Sequence, residues 1–237
     1  MRRARESVRQ MSGDLDGELA LGFSIAAHFG VLSEVLPAFK RRYPNVRLRL
    51  VEGFFPTLET DLRNGLLDVY VGPMPDVGHP ADMSVSKLFD NRRVVVGRCN
   101  HPLQGARRLS DLADAEWMTT SITRDATDEL RQVFTEAGVK MPRLIYQTQS
   151  ALSALVTLIH TDALAMMPVQ RVEAPLVKGW LERIPLEEEF VAPPIMMVQR
   201  TGLGVTPAGE YFVHLVQKLS GQDGTPIDAN SLSFRQF

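Results

Sequence analysis

The chain has 237 residues, of which 44% are hydrophobic and 23% charged, and this composition is ordinary for a globular protein. Its formal net charge is −2, so no positive field over the whole chain favours nucleic acid. A single cysteine, Cys99, excludes an internal disulfide framework and fits a reducing cytoplasm. No apolar run approaches the roughly 20 residues that span a bilayer, and the N-terminus lacks the apolar segment of a secretory signal. We therefore expect a cytoplasmic protein without a membrane span.

The N-terminal segment is basic and has too little apolar surface to fold alone. Residues 1–12 contain four arginines and one glutamate, with no glycine or proline. Two interpretations remain open at this point: a solvated tail, or the end of a longer helix whose first part is missing.

The first regular element ends at a serine. Residues 19–23 alternate in character as a short strand does, and the strand stops at Ser24. An apolar-striped helix follows over residues 31–39, and Pro37 inside the stripe predicts either a kink or a new helix start there. A strand that runs through Ser24 into a helix directs a hydroxyl and unpaired backbone N–H groups to one point, which suits an anion or a polar ligand head. Ser24 is therefore a candidate ligand-binding residue.

Strands and helices then alternate along the chain. Further strands are predicted at 46–50, 68–72, 93–97, 117–120, 144–146, 163–166, 181–186 and 195–199. Further helices are predicted around Leu58 and Leu62, at 126–137, and from Ser150, Pro168 and Thr206. This order indicates βαβ units and mostly parallel sheets. Crossovers at 97–101 and near 195–199 divide the chain into two α/β lobes, and the cleft between them is the expected ligand site.

Other kinds of chemistry find little support in the sequence. The histidines are scattered, and the acidic run Glu187–Glu189 is interpreted as a solvated connection rather than a cation site, so we expect no metal. We expect no cofactor, since glycine-rich phosphate loops are missing. The segment around Ser24 is one residue away from the hydrolase pattern G-x-S-x-G, with Ala26 in place of the last glycine. No histidine lies in an obvious loop opposite Ser24, so a ligand-binding serine is favoured over a nucleophile, and no enzyme activity is expected.

Several short motifs follow one another at characteristic spacings. They are Gly17-x-Leu19-x-Leu21-Gly22, Leu36-Pro37-Ala38-Phe39, Tyr43-Pro44-x-Val46, Leu62-x-x-Gly65-x-Leu67-Asp68, His101-Pro102-Leu103, Ala163-Leu164-Ala165-Met166-Met167-Pro168 and Leu203-x-Val205-Thr206-Pro207-Ala208. In this order they resemble the effector-binding, C-terminal regulatory domain of LysR-type transcriptional regulators. The resemblance covers about residues 14–220.

The resemblance implies an α/β fold of two Rossmann-like lobes joined by two crossover strands, like that of periplasmic binding proteins, with the ligand cleft between the lobes. The expected division is 1–13 as the end of a linker helix, 14–98 plus 196–221 as lobe I, 99–195 as lobe II and 222–237 as a flexible tail. It also implies that the N-terminal winged helix-turn-helix of the family, which binds DNA, is absent from this sequence.

Carried over by position, the resemblance implies a set of effector-binding residues. These are Ser24, Ile25, Phe54, Phe55, Pro56, Gly72, Pro73, Thr120, Ser121, Gln149, Ser150 and Pro168. The chain departs from the family at His160–Ala163, where many members have Ala-Gly-x-Gly, and this leaves His160 as either a pocket edge or an exposed helix end. Because the set has hydroxyls and helix N-termini but no obvious arginine, it suits an aromatic carboxylic or sulfonic acid, with a sugar acid or an amino-acid derivative as the alternative.

The predicted function is effector sensing in a transcriptional regulator. The ligand would favour one arrangement of the lobes and so shift the population. The resemblance implies a homodimer in which the helix at 31–42 packs against the helix at 126–137 of a second subunit, and a homotetramer in the full-length protein. Two other functions stay open: a solute-binding protein of a transporter, which requires export, and a serine hydrolase that uses Ser24.

Overall fold

The computed structural model describes residues 16–74, 81–120, 128–148, 150–201 and 206–221. The predicted end of the linker helix, Ser121, Gln149 and the predicted tail lie outside the described residues. The chain divides into two compact units: the first comprises Met1–Asp90 and Pro193–Phe237, and the second comprises Asn91–Ala192.

The strands, in chain order, are β1 (Gly17–Phe23), β2 (Val46–Glu52), β3 (Val69–Pro73), β4 (Met83–Arg98), β5 (Glu116–Thr119), β6 (Arg143–Gln147), β7 (Leu164–Pro168), β8 (Leu181–Arg183) and β9 (Phe190–Arg200). The α-helices are α1 (Ile25–Ala27), α2 (Ser33–Arg42), α3 (Phe55–Arg63), α4 (Asp128–Glu136), α5 (Ala151–His160), α6 (Val169–Glu173) and α7 (Pro207–Leu219). A π-helical segment, His28–Leu32, joins α1 to α2, and two 3-10 segments lie at Leu109–Leu112 and Pro175–Val177. Among the described residues no helix is long and apolar enough to cross a membrane.

The sheet of the first unit has the order β2-β1-β3-β9. β1 runs parallel to β2 and β3, whereas β3 and β9 are antiparallel. Alternate residues of β1 face opposite sides, so Leu21 and Phe23 pack in a core with α2 and α7, while Ala20 packs with α3. Helices therefore cover both faces, and the carboxyl ends of three parallel strands lie along one edge.

The helix after β1 runs without a break from Ile25 to Arg42. The junction residues, including His28 and Ser33, have helical backbone angles. Of the two alternatives for Pro37, a new helix start is therefore wrong: Pro37 lies inside α2, because the helix is already capped at Ser24. The irregularity lies one turn earlier, in the π segment, where the Ser33 N–H donates to the His28 carbonyl.

The sheet of the second unit has the order β4-β7-β5-β6, with β8 also paired to β4. β5 is parallel to β6 and β7, whereas β4 is antiparallel to β7 and β8. Trp117 of β5 packs with Phe134 of α4 on one face, at 5.2 Å between ring centroids, and Met118 packs with α5 on the other. The predicted parallel βαβ pattern is confirmed, apart from the antiparallel pairing of the strands that connect the units.

The predicted helix starts at Ser150 and Thr206 are confirmed. The Ser150 hydroxyl accepts a hydrogen bond from the Ser153 N–H, and the Thr206 hydroxyl accepts one from the Gly209 N–H.

The boundary between the two units is less visible in the sequence, because β4 is one continuous strand of 16 residues that passes from one unit to the other at Asp90. A strand without a turn carries no local signal for such a boundary.

Candidate functional site

The ends of β1, β2 and β3 are tied together by backbone hydrogen bonds in the first unit. The Ser24 N–H donates to the Val71 carbonyl of β3 at 3.0 Å, and the Gly53 N–H after β2 donates to the Phe23 carbonyl at 3.0 Å. The predicted site segments after these three strands therefore lie side by side.

Ser24 is the N-cap of the helix and is only 2% exposed. Its hydroxyl accepts a hydrogen bond from the Ala27 N–H at 3.3 Å, and its carbonyl accepts one from the His28 N–H at 3.0 Å. The His28 ring also contacts Ser24, but Nδ1 lies 3.0 Å from the Ser24 carbonyl oxygen. A carbonyl only accepts, so this nitrogen carries the proton. The arrangement is that of a helix cap and does not place a base on the serine hydroxyl.

Two backbone N–H groups at the start of this helix have no hydrogen-bond acceptor among the described residues. Those of Ala27 and His28 are used by Ser24, whereas those of Ile25 and Ala26 have no acceptor in the part of the chain that the structure describes. Both residues are buried. Unpaired N–H groups at the first turn of an 18-residue helical stretch bind anions, since the helix dipole adds a positive potential there.

Gly72 allows the end of β3 to approach Ser24. The Cβ of an alanine at this position would lie 2.8 Å from the Ser24 Cβ and 2.7 Å from Cζ of Tyr70. The Tyr70 hydroxyl donates to the Pro73 carbonyl at 3.0 Å and so holds the turn that follows. Burial raises the pKa of Tyr70, which keeps the phenol protonated in this role.

The three residues after β2 differ in what they offer. Phe55 is buried, and its ring packs on Tyr70 with 5.7 Å between centroids, so it belongs to the core of the unit. Phe54 is half-buried, and its carbonyl accepts from the Thr57 N–H. Pro56 is exposed and has no N–H. The start of α3 therefore contributes mainly the Phe54 side chain to this edge.

The predicted residues of the second unit also follow parallel strands. The Thr148 N–H after β6 donates to the Thr119 carbonyl at 3.1 Å, which brings half-buried Thr120 close to the start of α5. Ser150 is exposed as the N-cap of α5, and its N–H donates to the Thr148 hydroxyl. Pro168 ends β7 and is the N-cap of α6. The structure thus brings together the described members of this half.

A buried arginine that the sequence analysis did not single out lies next to these residues of the second unit. Arg171 of α6 is 2% exposed, and its guanidinium donates to the Ala151 carbonyl at 2.7 Å. It follows Pro168 by three residues, which is one helical turn. In the sequence, this spacing was the only signal that Arg171 lies near the site. An arginine in a five-residue helix is otherwise expected to be exposed.

His160 lies at the other end of α5. It is exposed, and the segment that follows is held by polar contacts: Thr161 caps the Ala163 N–H, and Arg98 pairs with Asp162 at 2.7 Å. Of the two interpretations of His160, the exposed helix end is confirmed, since a ten-residue helix of about 15 Å separates it from Ser150.

The sequence matches a known family over most of its length. A family model for the LysR substrate binding domain matches residues 12–220. The HTH-type transcriptional regulator GalR of Pseudomonas putida is 25% identical over 210 residues, covering 88% of this chain and 53% of that protein. The chain therefore spans about half the length of this relative.

Solved structures show the same fold. The Synechocystis PCC6803 CcmR regulatory domain in complex with 2-PG is similar with a TM-score of 0.69 and 16% identity, covering 86% of this chain and 97% of that one. The BenM effector binding domain with its effector benzoate gives a TM-score of 0.66 and 18% identity, covering 90% and 96%.

Two α/β units joined by two crossover strands define a two-lobed domain with a fold like that of periplasmic binding proteins. Within this class, the chain belongs to the LysR substrate binding domain family, as the match over residues 12–220 shows. The predicted fold class and the predicted family are confirmed.

Gly72 provides a test of the close approach between β3 and Ser24. We expect Gly72→Ala to lower the free energy of unfolding by about 1–3 kcal/mol, because the added methyl group collides with Ser24 and Tyr70. Gly105→Ala is the matched control, since a Cβ there meets no atom within 4 Å. Urea unfolding of both variants measures the difference, and equal stabilities would contradict the packing argument.

Tyr70 gives a pH-dependent prediction. Its pKa is raised by burial in the folded state, whereas an unfolded tyrosine ionises near pH 10. Both states are protonated below that pH; above it the unfolded state loses its proton first, so stability falls by up to about 1.4 kcal/mol per pH unit. Tyr70→Phe removes this slope above pH 10 and costs about 1 kcal/mol at pH 7 through the lost bond to Pro73.

Urea unfolding between pH 8 and 11 measures both effects. Tyr211→Phe is the control, because it removes a tyrosine hydroxyl but leaves Tyr70 and its bond to Pro73 in place, so the slope caused by Tyr70 should remain. A Tyr70→Phe protein with the unmodified slope would contradict the assignment.

Proposed function

We propose that this chain is the effector-sensing part of a LysR-type transcriptional regulator and that its effector is a small organic acid. The acid group binds at the carboxyl ends of β1, β2 and β3, where Ser24, Phe54 and Gly72 lie. The remaining predicted residues, which are Ile25, Phe55, Pro56, Pro73, Thr120, Ser121, Gln149, Ser150 and Pro168, surround or support the ligand.

The two N–H groups of Ile25 and Ala26 carry this proposal. They are buried, they have no acceptor among the described residues, and they lie at the positive end of a long helix. A carboxylate or sulfonate supplies acceptor oxygens for both, and hydrogen bonds to a charged group are about twice as strong as neutral ones. Ser24 supports the pair by fixing where the helix starts.

The names of similar structures support an acid as the ligand class. One is a complex with 2-PG and another a complex with the effector benzoate, which is a carboxylate. In the second unit, Arg171 adds a buried positive charge beside Ser150, and this further favours an anionic ligand.

The proposed mechanism is a population shift. A ligand that binds one arrangement of the two units more tightly increases the population of that arrangement, and it regulates only in proportion to this difference in affinity. Subunit contacts then transmit the change to a DNA-binding domain outside this sequence. The relative GalR carries the name of a helix-turn-helix regulator, which supports this role for the whole protein.

We also propose that α2 of one subunit packs against the helix predicted at 126–137 of another, whose described part is α4, with a tetramer in the full-length protein. The exposed end of α2 carries Arg41 and Arg42, and the exposed end of α4 carries Glu136, so the surfaces have opposite charge.

Charge exchange tests this dimer. We expect Arg41→Glu to weaken dimerisation about tenfold, because it puts a negative charge on the surface that we propose packs against α4, where Glu136 is exposed. The double variant Arg41→Glu with Glu136→Arg restores the attraction and should recover most of the affinity. Sedimentation equilibrium measures both, and an Arg41→Glu protein that dimerises as the unmodified chain does would contradict the proposed surface.

The effector site is tested by removing one N–H group. Ile25→Pro deletes the first N–H of the helix, and the extended backbone of Ser24 (φ −73°, ψ 164°) is compatible with a following proline. Ile25→Val is the matched control, because it shortens the side chain but keeps the N–H. A charge-assisted hydrogen bond is worth about 1.5–3 kcal/mol, so we expect only the proline variant to bind the effector at least about tenfold more weakly.

A thermal-shift screen of aromatic carboxylates, sulfonates, sugar acids and amino-acid derivatives, each with its uncharged amide where one exists, identifies the effector first. A ligand at 100 times its Kd adds about 2.7 kcal/mol of stability. Calorimetric titration then compares the two variants. Equal weakening by proline and valine, or equal binding of acids and amides, would contradict the proposed site.

A further inference from the structure

Helix α5 of the second unit is apolar on its solvent side as well as on its core side. Ala154 and Leu158 pack in the core of the unit. On the other side, Leu152 is 69% exposed and Val156 is 49% exposed, and their spacing of four residues puts them on one face of the helix. We call the exposed residues of this helix, which are Leu152, Ser153, Val156 and His160, the outer face of α5.

The outer face of α5 carries no Lys, Arg, Asp or Glu. None of the ten residues from Ala151 to His160 is of these types. Helix α4 of the same unit, with nine residues, contains Asp128, Glu129, Arg131 and Glu136. A helix at the surface of a globular protein normally has charged residues on its outer side. Aliphatic side chains without charged neighbours are instead the composition of the core of a protein–protein interface.

The missing charge also excludes other classes of partner. Nucleic acids are bound mainly through Lys and Arg, and a helix that lies on a membrane carries the same residues on its polar side. Helix α5 has neither. An acidic or basic peptide would find no opposite charge on this face. The outer face of α5 therefore fits an uncharged protein surface.

A second copy of the same face is such a surface, and its shape is self-complementary. Leu152 and Val156 form a row of large side chains, and Ser153 and Thr157 form a row of small ones beside it. In a two-fold contact, the large row of each helix packs against the small row of the other, and no like charges meet. An antiparallel arrangement also places the positive end of each helix dipole beside the negative end of the other.

The size of the face indicates how such a contact is used. A stable interface buries about 800 Å² on each partner, which is more than the face of one ten-residue helix offers. Two such contacts become effective when they link assemblies that are already dimers, because the second contact then forms at a high effective concentration. The dimer proposed above through α2 and α4 leaves α5 unused and has two outer faces.

We propose that the outer face of α5 binds the outer face of a second copy in an antiparallel two-fold contact centred on Val156, and that this contact joins dimers into the tetramer. Val156 packs on Val156 of the second copy, and Leu152 lies near His160 of that copy. The role in the tetramer rests on the proposed α2–α4 dimer, whereas the α5 contact itself does not. Neither depends on the effector site.

Disulfide trapping tests the centre of the contact. Cys99, the only cysteine of the chain, is first replaced by serine, and one cysteine is then introduced at Val156. Leu176→Cys in the same background is the matched control, because Leu176 is 72% exposed in the same unit but lies outside α5. A disulfide needs Cα atoms within about 7 Å, so we expect Val156→Cys to form covalent dimers about tenfold faster than Leu176→Cys under mild oxidation.

Mixed chains test the antiparallel direction. Positions 152 and 160 each lie about 6 Å along the helix from Val156, on opposite sides of it. When Leu152→Cys and His160→Cys proteins are mixed, we expect the mixed disulfide to exceed either self-pair. A parallel contact would give mainly the two self-pairs.

Sedimentation velocity separates the α5 contact from the α2–α4 dimer. Val156→Glu places like charges opposite each other, so we expect it to weaken the association of dimers into tetramers about tenfold while dimers remain. Leu176→Glu should leave both steps unchanged. Arg41→Glu should weaken the dimer but leave the trapping of Val156→Cys unchanged, so a failure of the α2–α4 proposal is distinguishable from a failure of this one.

Four results would each overturn the inference. They are trapping of Val156→Cys no faster than that of Leu176→Cys, a preference for self-pairs in the mixed chains, unchanged tetramer formation in Val156→Glu, and loss of Val156→Cys trapping in the Arg41→Glu protein. The first would leave the outer face of α5 to a different protein, and the last would make it part of the α2–α4 interface.

Discussion

The hydrogen bond from the Ser24 N–H to the Val71 carbonyl is the contact on which the candidate effector site depends. It joins the end of β1 to the end of β3 and places the first residue of the following helix at the sheet edge. The Ser24 hydroxyl and carbonyl then take two of the four N–H groups of the first turn. The two that remain, at Ile25 and Ala26, are fixed in position by the sheet rather than by a mobile loop.

Packing behind this contact maintains the geometry. Gly72 leaves no side chain between β3 and Ser24, and the buried Tyr70 hydroxyl holds the turn after β3. The second unit repeats the arrangement with other residues, since Thr148 links the ends of β5 and β6 and Ser150 caps α5. In each unit, a capped helix begins where parallel strands end, and this is the place where open α/β sheets bind ligands.

Much of the fold was predictable because its signals are local. Strand alternation in residues 19–23, the caps at Ser150 and Thr206, and the glycine at Gly65, which has a φ of +73°, each act within a few residues. The sequence left open whether a new helix starts at Pro37, because a continuous helix through a proline depends on buried neighbours such as Val31 and Phe39. The candidate site residues remain predictions, although the described ones do lie at strand ends.

The sequence by itself determined the α/β class, the order of elements and the family, because periodicity, caps and motif spacing are properties of neighbouring residues. Only the tertiary structure decided which polar groups are buried and lack partners. Arg171, which the sequence analysis did not single out, is only 2% exposed. The three glutamates at 187–189, interpreted as one solvated connection, each have a different partner. Burial and pairing depend on residues distant in the chain, so a sequence pattern does not contain them.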